Sequence, residues 1–155
     1  MRLPYSRLLR KGRIRKHRTN VQEIASLFEV VKRDLADASV PELSPDRRFA
    51  TAYNAVLQAA KAIMYGEGYR TKGSGHHSTT FEFLSIALGP GFEALTDYFD
   101  RCRVKRNVAD YVGAGSISET EAEDLLEEAR TFTQTAQAWI ETNYPSLAGW
   151  KGEQR

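Results

Sequence analysis

Along most of the chain apolar residues recur every three or four positions, and nowhere do they alternate with polar ones as a half-buried strand requires. Four long segments carry this helical rhythm. In the first, Thr19 or Asn20 can cap, Glu23 completes a capping box with Asn20, and Ile24, Leu27, Val31, Leu35 and Ala38 line one face. The second opens at Ser44 with Pro45 in the first helical position. It repeats Phe49, Tyr53, Val56, Ala60 and Ile63, and its end is predicted at Gly66 or Gly68. The third is marked by Phe92, Leu95, Phe99, Cys102 and Ala109 and ends near Gly113 and Gly115. The fourth starts at Ser118 with Glu121 as a capping-box partner. It carries Ala122, Leu125, Ala129, Phe132, Ala136 and Trp139 to a stop at Tyr144-Pro145. Between the second and third lies the loop GYRTKGSGHHST. Thr79 and Glu82 then read as a capping box for a short helix through Phe83, Ile86 and Leu88.

The pattern predicts an all-α fold: an up-and-down antiparallel four-helix bundle plus one short helix. The expected organisation is a basic N-terminal arm over 1–18, the bundle over 19–146 and a tail over 147–155, with GEQR frayed. A chain of 155 residues is enough for one domain with a real core.

One position breaks the rhythm. In the third helix Arg106 occupies the place between Cys102 and Ala109 where the stripe calls for an apolar residue. A buried unpaired charge is costly, so Arg106 needs partners or water. The residues alone leave three readings open. Asp110, at i+4, can pair with it and fix helix register. Arg106 can line a polar cleft and hold a phosphate bidentately. Or its face meets a second subunit.

Charge sharpens the picture. The 22 Lys/Arg nearly balance the 20 Asp/Glu, but the first 18 residues hold eight basic residues and no acid, leaving a net −6 for the remainder. A basic arm on an acidic body suits an anionic partner such as nucleic acid; it equally suits a solvated tail, or a short helix lying on the protein's own acidic face. An organelle transit peptide ranks lower, for want of a Ser-rich stretch, and neither a secretory leader nor a membrane-spanning run is expected. The single cysteine, Cys102, lies on an apolar stripe and reads as a buried hydrophobe in a reducing cytosol. His76 and His77, on the Gly-rich loop with Arg70 and Lys72, are candidates for proton transfer beside a phosphate, or are surface residues with no such role. Metal ligation is not expected of adjacent histidines with no cysteine cluster, and no cofactor motif is present.

Taken in order, the segments FATAYNAVLQAAKAIMYGEGY, KGSGHHSTTFEFL and RNVADYVGAGSISETEAEDLLEEARTF resemble HEPN domains, over roughly residues 19 to 144. The resemblance implies a helical bundle that forms a homodimer. Many such proteins are RNases acting as toxins beside a nucleotidyltransferase-like antitoxin; others bind RNA or nucleotides without cutting. Their RNase motif is an arginine, four to six residues, then a histidine, with a polar residue often following the arginine. Arg106 matches the arginine and Asn107 the polar residue, but Tyr111 stands where the histidine falls. Tyrosine near its ordinary pKa is a poor base at neutral pH. The resemblance therefore implies either a non-catalytic member or one in which His76 or His77 supplies the proton transfer. In some HEPN toxins a tyrosine near the motif is adenylylated by the partner, and Tyr111 is the corresponding candidate.

The leading expectation is a cytoplasmic, dimeric HEPN-type protein that binds RNA or a nucleotide through Arg106, Asn107, Asp110, Tyr111 and Lys72, with weak or no RNase activity, as the toxin half of a pair. A metal-independent endoribonuclease using Arg106 and a loop histidine is the first alternative. A non-enzymatic protein-interaction domain, with Arg106–Asp110 as a register pair, is the second.

Overall fold

A computed structural model describes residues 4–112 and 115–150, with 110–112 by backbone alone. The chain runs α1 (Ser6–Arg10), β1 (Ile14–Lys16), α2 (Val21–Ala38), α3 (Pro45–Gly66), β2 (Tyr69–Thr71), α4 (His76–Leu88), α5 (Glu93–Val112) and α6 (Glu119–Asn143). Single 3-10 turns at Pro90–Phe92 and Pro145–Leu147 precede α5 and follow α6. The four long helices and the shorter α4 stand as the periodicity predicts, and the fold is mostly helical.

α3 is the centre. From Arg48 to Gly66 none of its residues is exposed. Five alanines (Ala52, Ala55, Ala59, Ala60 and Ala62) are at most 1% exposed. Their small side chains let α2 and α6 pack closely on this helix, since interaxial distance follows the size of the residues at the contact. α4 and α5 cover its remaining side. The core is filled by Tyr53, Ile63 and Met64 from α3, Phe83 and Leu84 from α4, Phe99 from α5, and Leu125, Phe132 and Ile140 from α6.

The ends follow local chemistry. Asn20 accepts from the Glu23 amide at 2.9 Å, but the Glu23 carboxylate turns to Thr19 and His17 instead of the cap backbone. That box is therefore half formed. Ser118 and Glu121 complete theirs in both directions. The box expected at Thr79 does not exist. α4 begins three residues earlier, after Gly75, whose φ of +70° is a left-handed turn that glycine makes freely. Thr79 is fully buried inside the helix and Glu82 pairs with Arg13. His76 and His77 thus sit in the first turn of a helix, not on a loop.

Periodicity showed no strand, yet β1 and β2 form a small antiparallel ladder with Ile14 opposite Thr71, Arg15 opposite Arg70 and Lys16 opposite Tyr69. Three residues per strand are too few for alternation to be read. The ladder folds the basic N-terminal segment onto the bundle. Leu8 and Ile14 are buried. Tyr5 stacks on Phe83 at 4.0 Å. Its hydroxyl donates to Glu67 at 3.0 Å, and the other Glu67 oxygen accepts from Tyr144 at 2.7 Å. Arg13 donates to Thr79 and to Glu82, at 3.0 and 2.7 Å. At the other end Trp150 meets Phe28 edge-on at 5.1 Å. GEQR lies outside the described residues.

The bundle does contain a buried arginine that sets register, and it is Arg48. Its Nε donates to the Ala38 carbonyl at the end of α2, at 2.9 Å, and its other nitrogens reach Glu119 and Glu123 on α6. Arg48→Ala would strand a carbonyl and leave two acids facing each other one turn apart. Hydrogen bonds to charged groups contribute about 1.5–3 kcal/mol, so urea unfolding of that variant should show a loss of roughly that size; an unchanged midpoint would contradict the role.

Candidate functional site

Three helices bring the site together. Tyr53 comes from the buried face of α3, His77 from the first turn of α4 and Arg106 from the last third of α5. The Arg106 guanidinium lies over the Tyr53 ring, 5.5 Å from its centroid. The Tyr53 hydroxyl is hydrogen-bonded to His77 Nδ1 at 3.0 Å. Arg106 therefore breaks the apolar rhythm of α5 where that helix faces the edge of the core: Cys102 one turn earlier is buried and Arg106 is half-buried.

The electrostatics are lopsided. Arg103, one turn before Arg106, is answered by Asp100 at 2.8 Å. Among the described residues no carboxylate pairs with Arg106, and its Nε is buried with no hydrogen-bond partner. An arginine over an aromatic face gains about 0.5–1 kcal/mol, whereas a buried unsatisfied donor costs about 1–3 kcal/mol. The guanidinium is thus held in place while its Nε is short of an acceptor among the described residues.

Burial pushes the His77 imidazole below its ordinary range, and Arg106, Arg103, Lys61 and His76 push it further. The N-terminus of α4 acts in the same sense. Burial pushes the Tyr53 phenol up, against the opposing pull of Arg106 and Arg103. Both groups are neutral near pH 7, so one proton is shared between them. Either Tyr53 donates to Nδ1 and Nε2 carries its own proton, or Nδ1–H donates to the Tyr53 oxygen and Nε2 is left as an acceptor. In both cases Nε2 has no hydrogen bond to a described residue. An imidazole held at one nitrogen and open at the other is the arrangement proton transfer needs.

The candidates separate. His77 joins Arg106. His76 is exposed and turns to Thr71 at 3.1 Å. Asn107 is exposed beside Arg106. Lys72 is exposed at the end of the ladder, where its backbone N–H donates to Arg13 at 2.8 Å. The side chains of Asp110 and Tyr111 lie outside the described residues, and with them the expected Arg106–Asp110 pair. Sequence reasoning missed Tyr53, treated there as a core residue, and also Lys61. Arg103 was legible, since it stands three residues before Arg106 on the same helix. Cys102 is 5% exposed and burial pushes its thiol up to about 11. Among the described residues no cluster of His, Cys, Asp and Glu could hold a metal, and no helix is long and apolar enough to cross a membrane.

The depressed His77 pKa makes stability depend on pH with a definite sign. Unfolded, this histidine titrates near 6.5; folded, lower. Above 6.5 both states are neutral and its contribution is complete. As pH falls the unfolded chain binds the proton first, so stability drops from about pH 6.5 to the lower folded pKa. His77→Asn should abolish that part, so that urea unfolding from about pH 7 to 5 shows a shallower fall than wild type. Equal slopes would refute it.

A family model described as SAV_6107-like HEPN matches residues 38–137, a span that includes α3, α4, α5 and most of α6 and so every residue of the Tyr53–His77–Arg106 cluster. No curated protein and no solved structure matches the chain.

Proposed function

The chain belongs to the SAV_6107-like HEPN family, and from that premise we propose that it binds RNA or a nucleotide by seating a phosphate between Arg106 and His77. The observation that carries this reading is the buried Arg106 Nε, unsatisfied among the described residues, beside a histidine whose Nε2 is bonded to none of them. Arginine matches phosphate oxygens with its planar fork. Asn107, exposed and next to Arg106 in the chain, is proposed to add a polar contact to the same ligand. Asp110, Tyr111 and Lys72 remain part of the proposed surface. A homodimer fits the exposed Val104 and Val108, 48% and 50% accessible and one turn apart on α5. The setting this implies is the toxin half of a pair with a nucleotidyltransferase-like antitoxin, with Tyr111 as the residue such a partner modifies.

The second reading, metal-independent RNA cleavage, is favoured by the Tyr53–His77 hydrogen bond. Here Nδ1–H donates to Tyr53 and Nε2 takes the proton of the ribose 2′-OH. The 2′-oxygen attacks phosphorus in line, and the bond to the 5′-oxygen breaks as that oxygen takes a proton from solvent. Arg106 bears the charge that builds on the phosphoryl oxygens. The products are a 2′,3′-cyclic phosphate and a 5′-hydroxyl.

The test is binding and cleavage of single-stranded RNA in EDTA by wild type, Arg106→Ala, His76→Ala and His77→Ala. The binding reading expects wild type to bind with at most slow cleavage, and Arg106→Ala to weaken binding at least tenfold while unfolding like wild type. The cleavage reading expects activity lost in Arg106→Ala and His77→Ala but kept in His76→Ala. A wild type that neither binds nor cuts RNA or mononucleotides at low salt contradicts both.

A further inference from the structure

The same β1–β2 ladder that fastens the N-terminal segment brings like charges together. Arg15 and Arg70 are directly opposite in the ladder, an arrangement that disfavours strand pairing. The Arg70 guanidinium lies over the ring of Tyr65, 5.9 Å from its centroid. One turn before Tyr65 on α3 is Lys61, half-buried and next to Arg70 in its electrostatic surroundings. Burial and then Arg70 lower the Lys61 pKa, against a smaller opposing pull from Glu23. Glu23 is the carboxylate that faces this group, and one of its oxygens, Oε1, is engaged by both His17 and Thr19 at 2.6 Å. Among the described residues none of Arg15, Lys61 and Arg70 has a salt bridge. Three elements thus bring three cations into one region with a single carboxylate, Glu23, facing them and no salt bridge to any of the three among the described residues.

Lys61 also belongs to the other cluster, since its charge acts on His77 together with Arg106 and Arg103. It stands eight residues after Tyr53 on α3, a rise of about 12 Å. Resting on the reading that Arg106 seats a phosphate, we infer that Arg15, Arg70 and Lys61 form a second phosphate subsite, which holds the backbone of a single-stranded RNA beyond the phosphate seated at Arg106. The ligand is thereby an oligonucleotide rather than a mononucleotide. The N-terminal segment contributes as a built wall of the site and not as a free arm, so its removal would expose Leu8, Ile14 and the rings around Tyr5 and say nothing specific about binding.

The experiment is fluorescence anisotropy with end-labelled dodecauridylate and diuridylate, at several KCl concentrations, for wild type, Arg15→Ala/Arg70→Ala, Lys61→Met and Arg106→Ala. The double variant should weaken dodecamer binding at least tenfold at low salt. It should reduce the salt slope by about 1.4, the loss of two contacts at about 0.7 each, with diuridylate binding unchanged. Lys61→Met should weaken the dodecamer in the same direction. Thermal unfolding of the double variant should match wild type, because relieving a like-charge pair removes no core contact. If the double variant and Lys61→Met bind the dodecamer like wild type while Arg106→Ala does not, the second subsite is wrong and the Arg106 reading stands. If Arg106→Ala alone leaves both probes unaffected, the Arg106 reading falls and the ladder site stands by itself. If wild type binds neither probe, both fall.

Discussion

A helix with no exposed residue from Arg48 to Gly66 has few places to put a polar atom except against a partner, and α3 imposes that constraint on everything around it. Arg48 is answered by the Ala38 carbonyl and two acids of α6. Asn54 donates to the buried Asp34 of α2 at 2.7 Å, and Gln58 donates to Asn54 at 3.1 Å. Tyr53 is answered by His77. The Gln58–Asn54 bond lies within α3 and supports the bond from Asn54 to Asp34; each of the others fixes one neighbouring helix relative to α3, because a desolvated polar group left alone is more costly than the bond is favourable. The exception is Lys61, the charged side chain of this run that has no salt bridge to a described residue. The unmet demand on α3 therefore falls at one place, on the side where Arg70, His77 and Arg106 also gather.

That asymmetry connects fold to function. A guanidinium over a tyrosine ring and an imidazole on the same tyrosine's hydroxyl are held by packing rather than by each other. A guanidinium and a neutral imidazole are thus kept close, and burial first and the Arg106 charge second lower the His77 pKa. A dianion or a phosphodiester entering there would satisfy the Arg106 Nε and meet Nε2 of His77. The site is prepared for an anion in the sense that the unfavourable part, bringing positive groups together away from water, is already done by the burial of α3 and the stacking of the aromatic rings.

Much of this was legible along the chain. The stripes of α2, α3, α5 and α6 and the cap at Ser118 are local signals, and they set the fold class. The interruption at Arg106 was visible too, because a helix face is a short-range pattern. What the sequence hid was long-range. That His77 and not His76 meets Arg106 depends on where α4 starts, and its start is a left-handed Gly75 with no capping side chain to announce it. The strand pairing of the N-terminal segment depends on three residues at each end of a gap of more than fifty, too short for any rhythm. The acid-free first 18 residues, eight of them basic, read as an arm for an anionic partner, a solvated tail or a surface helix, and nothing local announces that Tyr5, Leu8 and Ile14 are core. Tyr53 was counted as packing because its hydroxyl is a single polar atom on an apolar stripe, and nothing local distinguishes a buried tyrosine that merely fills space from one that holds a histidine.

The central claim is that Arg106 and His77 share one electrostatic site across α5 and α4. NMR titration of the His77 imidazole in wild type and in Arg106→Ala tests it most directly. The account predicts a wild-type pKa below 6.5 that rises toward 6.5 when Arg106 is removed, because its charge is the largest contribution to the depression after burial. An identical His77 titration in the two proteins would mean that the two groups do not act on one another, and the proposed phosphate seat would have no basis.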